Sequence, residues 1–216
     1  MEDWIDIHTH QPGEGINIVD TCLGTVSLPR NGVVYYSQGI HPLFIDESAE
    51  AKLQKIEQAA ANKTIVAIGE AGIDRRSATS IEKQQTLFEC QAAIAVRYKL
   101  PVIIHNVRAI SEIIVSHKKC ASPANWIIHG FDNRREILQD LLRHGFYISV
   151  GRQVMNQESN AYILLPEVPT NRLFIETDDS AWTISELYYA VAQRKGIAVE
   201  ELQQMIRTNF NKLFQI

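Results

Sequence analysis

Trp4-Ile-Asp-Ile-His-Thr-His10 is a short apolar run that closes on two histidines two residues apart. In a β-strand residues i and i+2 share a face, so His8 and His10 project together from its carboxyl end. The same plan recurs along the chain. Val102–His105 ends on His105, Trp126–His129 ends on His129, Thr64–Gly69 runs straight into Glu70, and Leu173–Glu176 lies just before Asp178. Ile16–Thr21, Val33–Ile40 and Phe146–Val150 complete eight strand candidates. Several are continuous apolar runs, the pattern of parallel strands buried on both faces.

Helical periodicity fills the intervals 46–62, 80–99, 108–119, 133–144, 184–195 and 199–214. In the first of these Leu53, Ile56, Ala59 and Ala60 fall at helical spacing. Thr183 and Glu186 form a capping box that predicts a helix start, whereas Ser80 lacks one because position 83 is Lys. Strands alternating with helices predict an α/β fold, a TIM-like (β/α) barrel spanning 1–216 as a single domain. Only His10 to Gly15 separates the first two strands, too few for a crossover helix, which takes about a dozen residues. The second connection, Cys22–Gly32, is also thin. The barrel is therefore expected to be compact, with its first outer helices reduced or missing and an apolar patch exposed near Ile16–Thr21.

In such barrels the site lies at the carboxyl ends of the strands. His8, His10, Glu70, His105, His129 and Asp178 would then meet at one mouth. Imidazole nitrogens and carboxylate oxygens suit Zn, Mn or Fe. Burying six such groups costs several kcal/mol unless each is paired, and a pair of metal ions supplies that pairing.

Charge and cysteine content narrow the alternatives. Lys and Arg total 21 against 25 Asp and Glu, a formal net charge of −4, so the whole molecule is no electrostatic clamp for duplex nucleic acid. Cys22, Cys90 and Cys120 are odd in number and far apart, which excludes a disulfide framework and a cysteine zinc site. Acidic residues stand where a signal peptide carries positive charge, and the apolar runs are too short to span a bilayer. A cytoplasmic protein without membrane contact or an obligate protein partner is expected.

Seven segments, in order, carry a resemblance: Asp6-Ile-His-Thr-His10, Gly39-Ile-His-Pro42, Ile68-Gly-Glu-Ala-Gly-Ile-Asp74, Pro101-Val-Ile-Ile-His105, Ile128-His-Gly-Phe131, Ile175-Glu-Thr-Asp178 and Asn209-Phe-Asn-Lys-Leu-Phe214. Together they resemble the TatD family of metal-dependent hydrolases, many of which are deoxyribonucleases. The resemblance implies a TIM-like barrel holding two divalent ions (Zn, Mg or Mn). It places His8, His10 and Asp178 on one ion, His105 and His129 on the other, and Glu70 between them. It further implies phosphodiester cleavage of DNA ends or single-stranded DNA by a hydroxide held between the metals, with Asp178 and Glu70 catalytic.

The rim departs from the family pattern. Where the family often has Arg two residues after the fifth-strand His, this chain has Val107 and then Arg108. After Asp178 it runs through Asp179, Ser180, Ala181 and Trp182 into a helix without the usual Pro. Arg75, Arg76, Arg108, Arg134, Arg135 and Arg152 all follow strand ends and are read as a phosphate-binding set. Trp182 is placed to stack a base or to cover the core, and His41 to contact substrate or to support a ligand from behind. Asp74 is read as organising its loop, and His117 and His144 as surface residues at helix ends. Two other functions use the same residues: a small-molecule amide, ester or phosphate hydrolase, and a metal-binding protein without catalysis.

Overall fold

The computed structural model describes residues 4–21, 34–120, 125–214 and 216. Its strands are β1 (Ile5–Thr9), β2 (Ile16–Asp20), β3 (Val34–Gln38), β4 (Ala67–Asp74), β5 (Val102–Val107), β6 (Trp126–Ile128), β7 (Tyr147–Val150) and β8 (Leu173–Ile175). The helices are α1 (Ala49–Ala61), α2 (Ile81–Tyr98), α3 (Ile110–Lys119), α4 (Arg135–Arg143), α5 (Asn160–Leu164), α6 (Ile184–Lys195) and α7 (Val199–Phe214). The strands form one sheet in chain order, β1 to β8. Thr9 bridges Asp178 in parallel just beyond β8. Chain-order parallel pairing with helical connections is the topology of a (β/α) barrel.

Residues 10–15 carry no helix, as their number requires. The connection Cys22–Gly32 lies outside the described residues. The exposed apolar patch expected near Ile16–Thr21 is absent: Ile18 and Val19 are buried. No helix among the described residues is long and apolar enough to cross a membrane.

Contacts group the chain into two compact units. The first takes described residues of 1–19, 31–35 and 128–216. Here β1 pairs with β2 through Ile5–Ile16 and Asp6–Asn17, and β7 pairs with β8 through Ile148–Leu173. Tyr188 of α6 anchors the start of β1: its hydroxyl donates to Ile5 O at 3.1 Å and accepts from Ile5 N at 3.2 Å. Trp4 meets the same ring edge-on at 5.1 Å. The predicted capping box at Thr183 and Glu186 starts α6.

The second unit takes described residues of 20–30 and 36–127, with β3, β4 and β5 at its centre. Phe88, Ala92 and Ala95 of α2 are fully buried, and Phe88 meets Trp126 edge-on at 5.0 Å. Burying a Phe side chain is worth about 1.5–3 kcal/mol. Strand β4 is longer than its apolar run predicts. It passes through Gly69 to Asp74, and its pairing with β5 shifts register between Ile68 and Ala71. A Cβ at Gly72 would lie 1.9 Å from His105 O, so this close approach requires glycine.

Candidate metal centre

In the first unit His8 is wholly buried near the end of β1, while His10 is part-exposed just beyond it. Asp178 comes to them through the backbone: its N–H donates to His8 O at 3.0 Å. Its φ of +55° lies in the left-handed region, a local cost of about 1–3 kcal/mol that its surroundings must offset. The Asp178 Oδ1 atom is 3.6 Å from His8 Nε2 and 3.4 Å from His10 Nε2. These gaps match the edge, about 3.4 Å, of a tetrahedron whose ligands each lie about 2.1 Å from a common ion. Burial would raise the Asp178 carboxyl, but hydrogen bonds from His10 and His8 and the charge of His8 and His129 outweigh it. The group stays well below the usual carboxylate range.

His129 stands beside this set, its ring 4.7 Å from that of His8. Its Nδ1 is 3.2 Å from Oε1 of Glu176, which also accepts from Gly130 N at 2.5 Å. Glu176 is wholly buried and its second oxygen has no partner among the described residues. With Nδ1 engaged in this way, Nε2 is the nitrogen that would reach an ion. Glu176 sits one residue beyond β8 and reads in sequence as the end of a strand; its pairing with His129 could be found only in space. Changing Glu176 to Ala should weaken Zn²⁺ binding about 10- to 100-fold, because it releases the His129 ring and strands the Gly130 N–H. Glu176→Gln, which keeps an acceptor, should weaken it less. Calorimetric titration of the metal-free protein measures both.

In the second unit Glu70 lies at the register shift of β4. Its Oε1 is 2.5 Å from His105 Nδ1 and 3.6 Å from His41 Nε2. These two histidines and Glu70 form a second set able to hold a metal. His41 accepts from Leu43 N through Nδ1 at 3.1 Å. That bond leaves Nε2, the nitrogen facing Glu70, to carry the ring proton when no ion is bound, or to hold an ion in its place.

On its other side His105 Nε2 is 3.0 Å from Asp74 Oδ2. Asp74 is fully buried and is gripped by Arg76 through both carboxylate oxygens, at 2.7 to 3.1 Å. It thus orients a candidate ligand as well as its own loop. Two glutamines of α2 fix the backbone around this set. Gln91 accepts from Ile40 N at 2.6 Å, just ahead of His41. Gln84 accepts from Asp74 N at 2.8 Å and donates to Asp74 O at 3.1 Å. Both glutamines fall on the buried face of a helix, where the sequence pattern offers only two polar interruptions.

Burial would raise the Asp74 carboxyl, but the Arg76 and His105 hydrogen bonds hold it well below its ordinary range. In the unfolded chain the group titrates near pH 4. The folded state consequently binds fewer protons in acid, and stability falls as the pH drops below about 4. Arg76→Ala should cost about 1 kcal/mol at pH 7, allowing for solvent screening of the exposed guanidinium, and that difference should shrink below pH 4. Urea unfolding at pH 7 and pH 3 checks the sign.

Three more rim arginines are also committed. Arg75 Nε donates to Arg108 O at 2.7 Å and its Nη2 pairs with Glu112; Arg135 pairs with Glu167; Arg152 pairs with Asp179 at 2.8 Å. Arg108 and Arg134 are exposed. Trp182 is 43% exposed and lines a cleft of about 550 Å³ beside His10 and Asp178. It does not cap the core.

Residues 19–215 match the family described as TatD related DNase. The chain belongs to that family. It is 28% identical over 201 residues to an uncharacterized metal-dependent hydrolase, YabD, of Bacillus subtilis, covering 85% of this chain and 78% of the relative. It is 30% identical over 159 residues to a 3'-5' ssDNA/RNA exonuclease, TatD, of Enterobacter lignolyticus, covering 69% and 59%. The crystal structure of YjjV, a TatD homolog from Escherichia coli, superposes with a TM-score of 0.85 at 22% identity, covering 99% of this chain and 98% of that one. That likeness shows the TatD barrel fold. As a TatD-family member the protein is a metal-dependent hydrolase, and both histidine–carboxylate sets are positioned to bind metal.

Proposed function

We propose that the protein is a phosphodiesterase acting on single-stranded DNA or DNA ends with two divalent ions. The observation that carries this reading is the convergence of His8, His10 and Asp178 on one point at ion-sized spacing. That both sets serve one two-ion centre, with Glu70 shared and His105 and His129 on the second ion, is the family's arrangement, carried over as part of the proposal. Bound ions would polarise the phosphoryl group and acidify water. The chain's own groups do the rest. Asp178 orients the attacking water and takes its proton at a carboxylate oxygen. His41 presents its Nε2 proton to a phosphoryl oxygen. Trp182 offers a face to a base, and Arg108 is an exposed cation for the phosphate chain.

Small-molecule hydrolysis is the second reading, favoured by the pairing of Arg75, Arg76 and Arg152 with carboxylates. Hydrolysis of single-stranded DNA with Mg²⁺ or Mn²⁺, run beside a chromogenic phosphodiester and a chromogenic carboxylic ester, separates the readings. Release of nucleotides that EDTA abolishes is expected. Turnover of the carboxylic ester alone would overturn the nuclease reading, and turnover of none would leave a metal-binding protein.

A further inference from the structure

Asn17 lies at the start of β2, 1% exposed, and spends its whole side chain on the connection that replaces the missing crossover helix. Its Oδ1 accepts from Gly13 N at 2.9 Å. Its amide nitrogen donates towards Gly15 O at 2.9 Å, Gly13 O at 3.2 Å and Glu14 O at 3.4 Å. The start of the same segment is held by Thr9, whose Oγ1 donates to Gln11 O at 2.9 Å and accepts from Gln11 N at 3.3 Å. Gly15 closes the turn at φ +72°, where a Cβ would lie 2.3 Å from Trp4 O. Six exposed or half-exposed residues with no regular structure are thus given one conformation from beneath.

That segment lines the cleft beside His10 and Asp178, and so does Trp182. Asp6, Glu14, Asp178 and Asp179 line it with His10, and neither Lys nor Arg is among the described residues that do. Arg152, the cation at its edge, is paired with Asp179. Away from the ligand set, a phosphate placed beside Glu14 would meet a carboxylate with no described lysine or arginine lining the cleft to offset it. An uncharged planar group would find the part-exposed indole of Trp182.

Resting on the hydrolase reading of the site, we propose that Asn17 is a positioning residue for substrate, holding the 11–15 segment as the wall of a subsite that takes an uncharged planar group against Trp182. The scissile phosphate lies outside this subsite, at the ligand sets. Asn17 touches no reacting atom, so its loss acts on binding of the planar group and spares the chemistry.

The test compares two phosphodiesters with the same leaving group, the p-nitrophenyl ester of thymidine 5'-phosphate and methyl p-nitrophenyl phosphate, with Mn²⁺-loaded protein. Asn17→Ala should raise KM about tenfold for the thymidine ester and less than twofold for the methyl ester, with kcat changed less than twofold for both, the pattern of lost ground-state binding. Mn²⁺ affinity should stay at the wild-type value, and exchange of the Gly13 amide should quicken. Trp182→Ala, at an exposed position that does not threaten folding, should show the same selectivity. Equal losses on both esters, or none on either in both variants, would overturn the proposal. If the wild type cleaves neither ester, the phosphodiesterase reading falls on its own. Calorimetric titration with thymidine then decides: binding that Trp182→Ala and Asn17→Ala both weaken supports the subsite, and binding that either variant keeps, or none by the wild type, overturns it.

Discussion

Glu70→Gln should lower kcat/KM by about three orders of magnitude, on the scale of lost metal or electrostatic catalysis. Glutamine keeps the volume and one carbonyl acceptor, so packing at the β4–β5 register shift survives. It removes the negative charge that His105 Nδ1 meets at 2.5 Å. A neutral amide bridges two cations poorly and leaves their charge uncompensated in a buried place. Metal content after gel filtration should drop with activity, while the far-ultraviolet circular dichroism spectrum stays as in the wild type. Full activity in this variant would end the two-ion proposal.

Asp178→Asn should have the next largest effect, a loss of about 10²- to 10³-fold in kcat/KM together with weaker metal binding. Asparagine is among the few residues that tolerate a left-handed backbone, so the +55° φ and the bond to His8 O are kept. What goes is the anion facing His8 and His10, and with it the acceptor for the water's proton. Because the wild-type carboxyl is held well below its usual range, activity should not fade on the acid side at a pH set by Asp178. Metal titration and kcat/KM from pH 5 to 9 distinguish weakened loading from a lost proton acceptor. In saturating Mn²⁺ the first is rescued and the second is not.

The parts legible in the sequence were those with a period or a spacing. Apolar strand runs, five of them leading to a candidate ligand, predicted all eight strands, and the ends of α6 and α7 match their predicted bounds. His8, His10 and Asp178 converge because a two-residue step and a strand end decide where they go. The rest depends on partners distant in sequence. Glu176 shows its role only beside His129, forty-seven residues earlier. Arg76 reads in sequence as phosphate-seeking surface charge, whereas in space it grips the buried Asp74. The apolar run Thr64–Gly69 marks only the first part of β4, because the strand continues through glycines that accommodate a close neighbour. Gln84, Gln91 and Asn17 carry no local pattern, since each binds backbone, and backbone leaves no trace in composition.

Gln84 and Gln91 are seven residues apart on one face of α2, two turns or about 10.5 Å along the axis. One grips the backbone before His41 and the other grips the backbone of Asp74. The helix therefore works as a gauge block between two strand ends. Substitution elsewhere on its surface leaves the gauge intact. A single residue inserted between positions 84 and 91 would turn one glutamine about 100° away from its target, so this stretch can vary in composition and not in length.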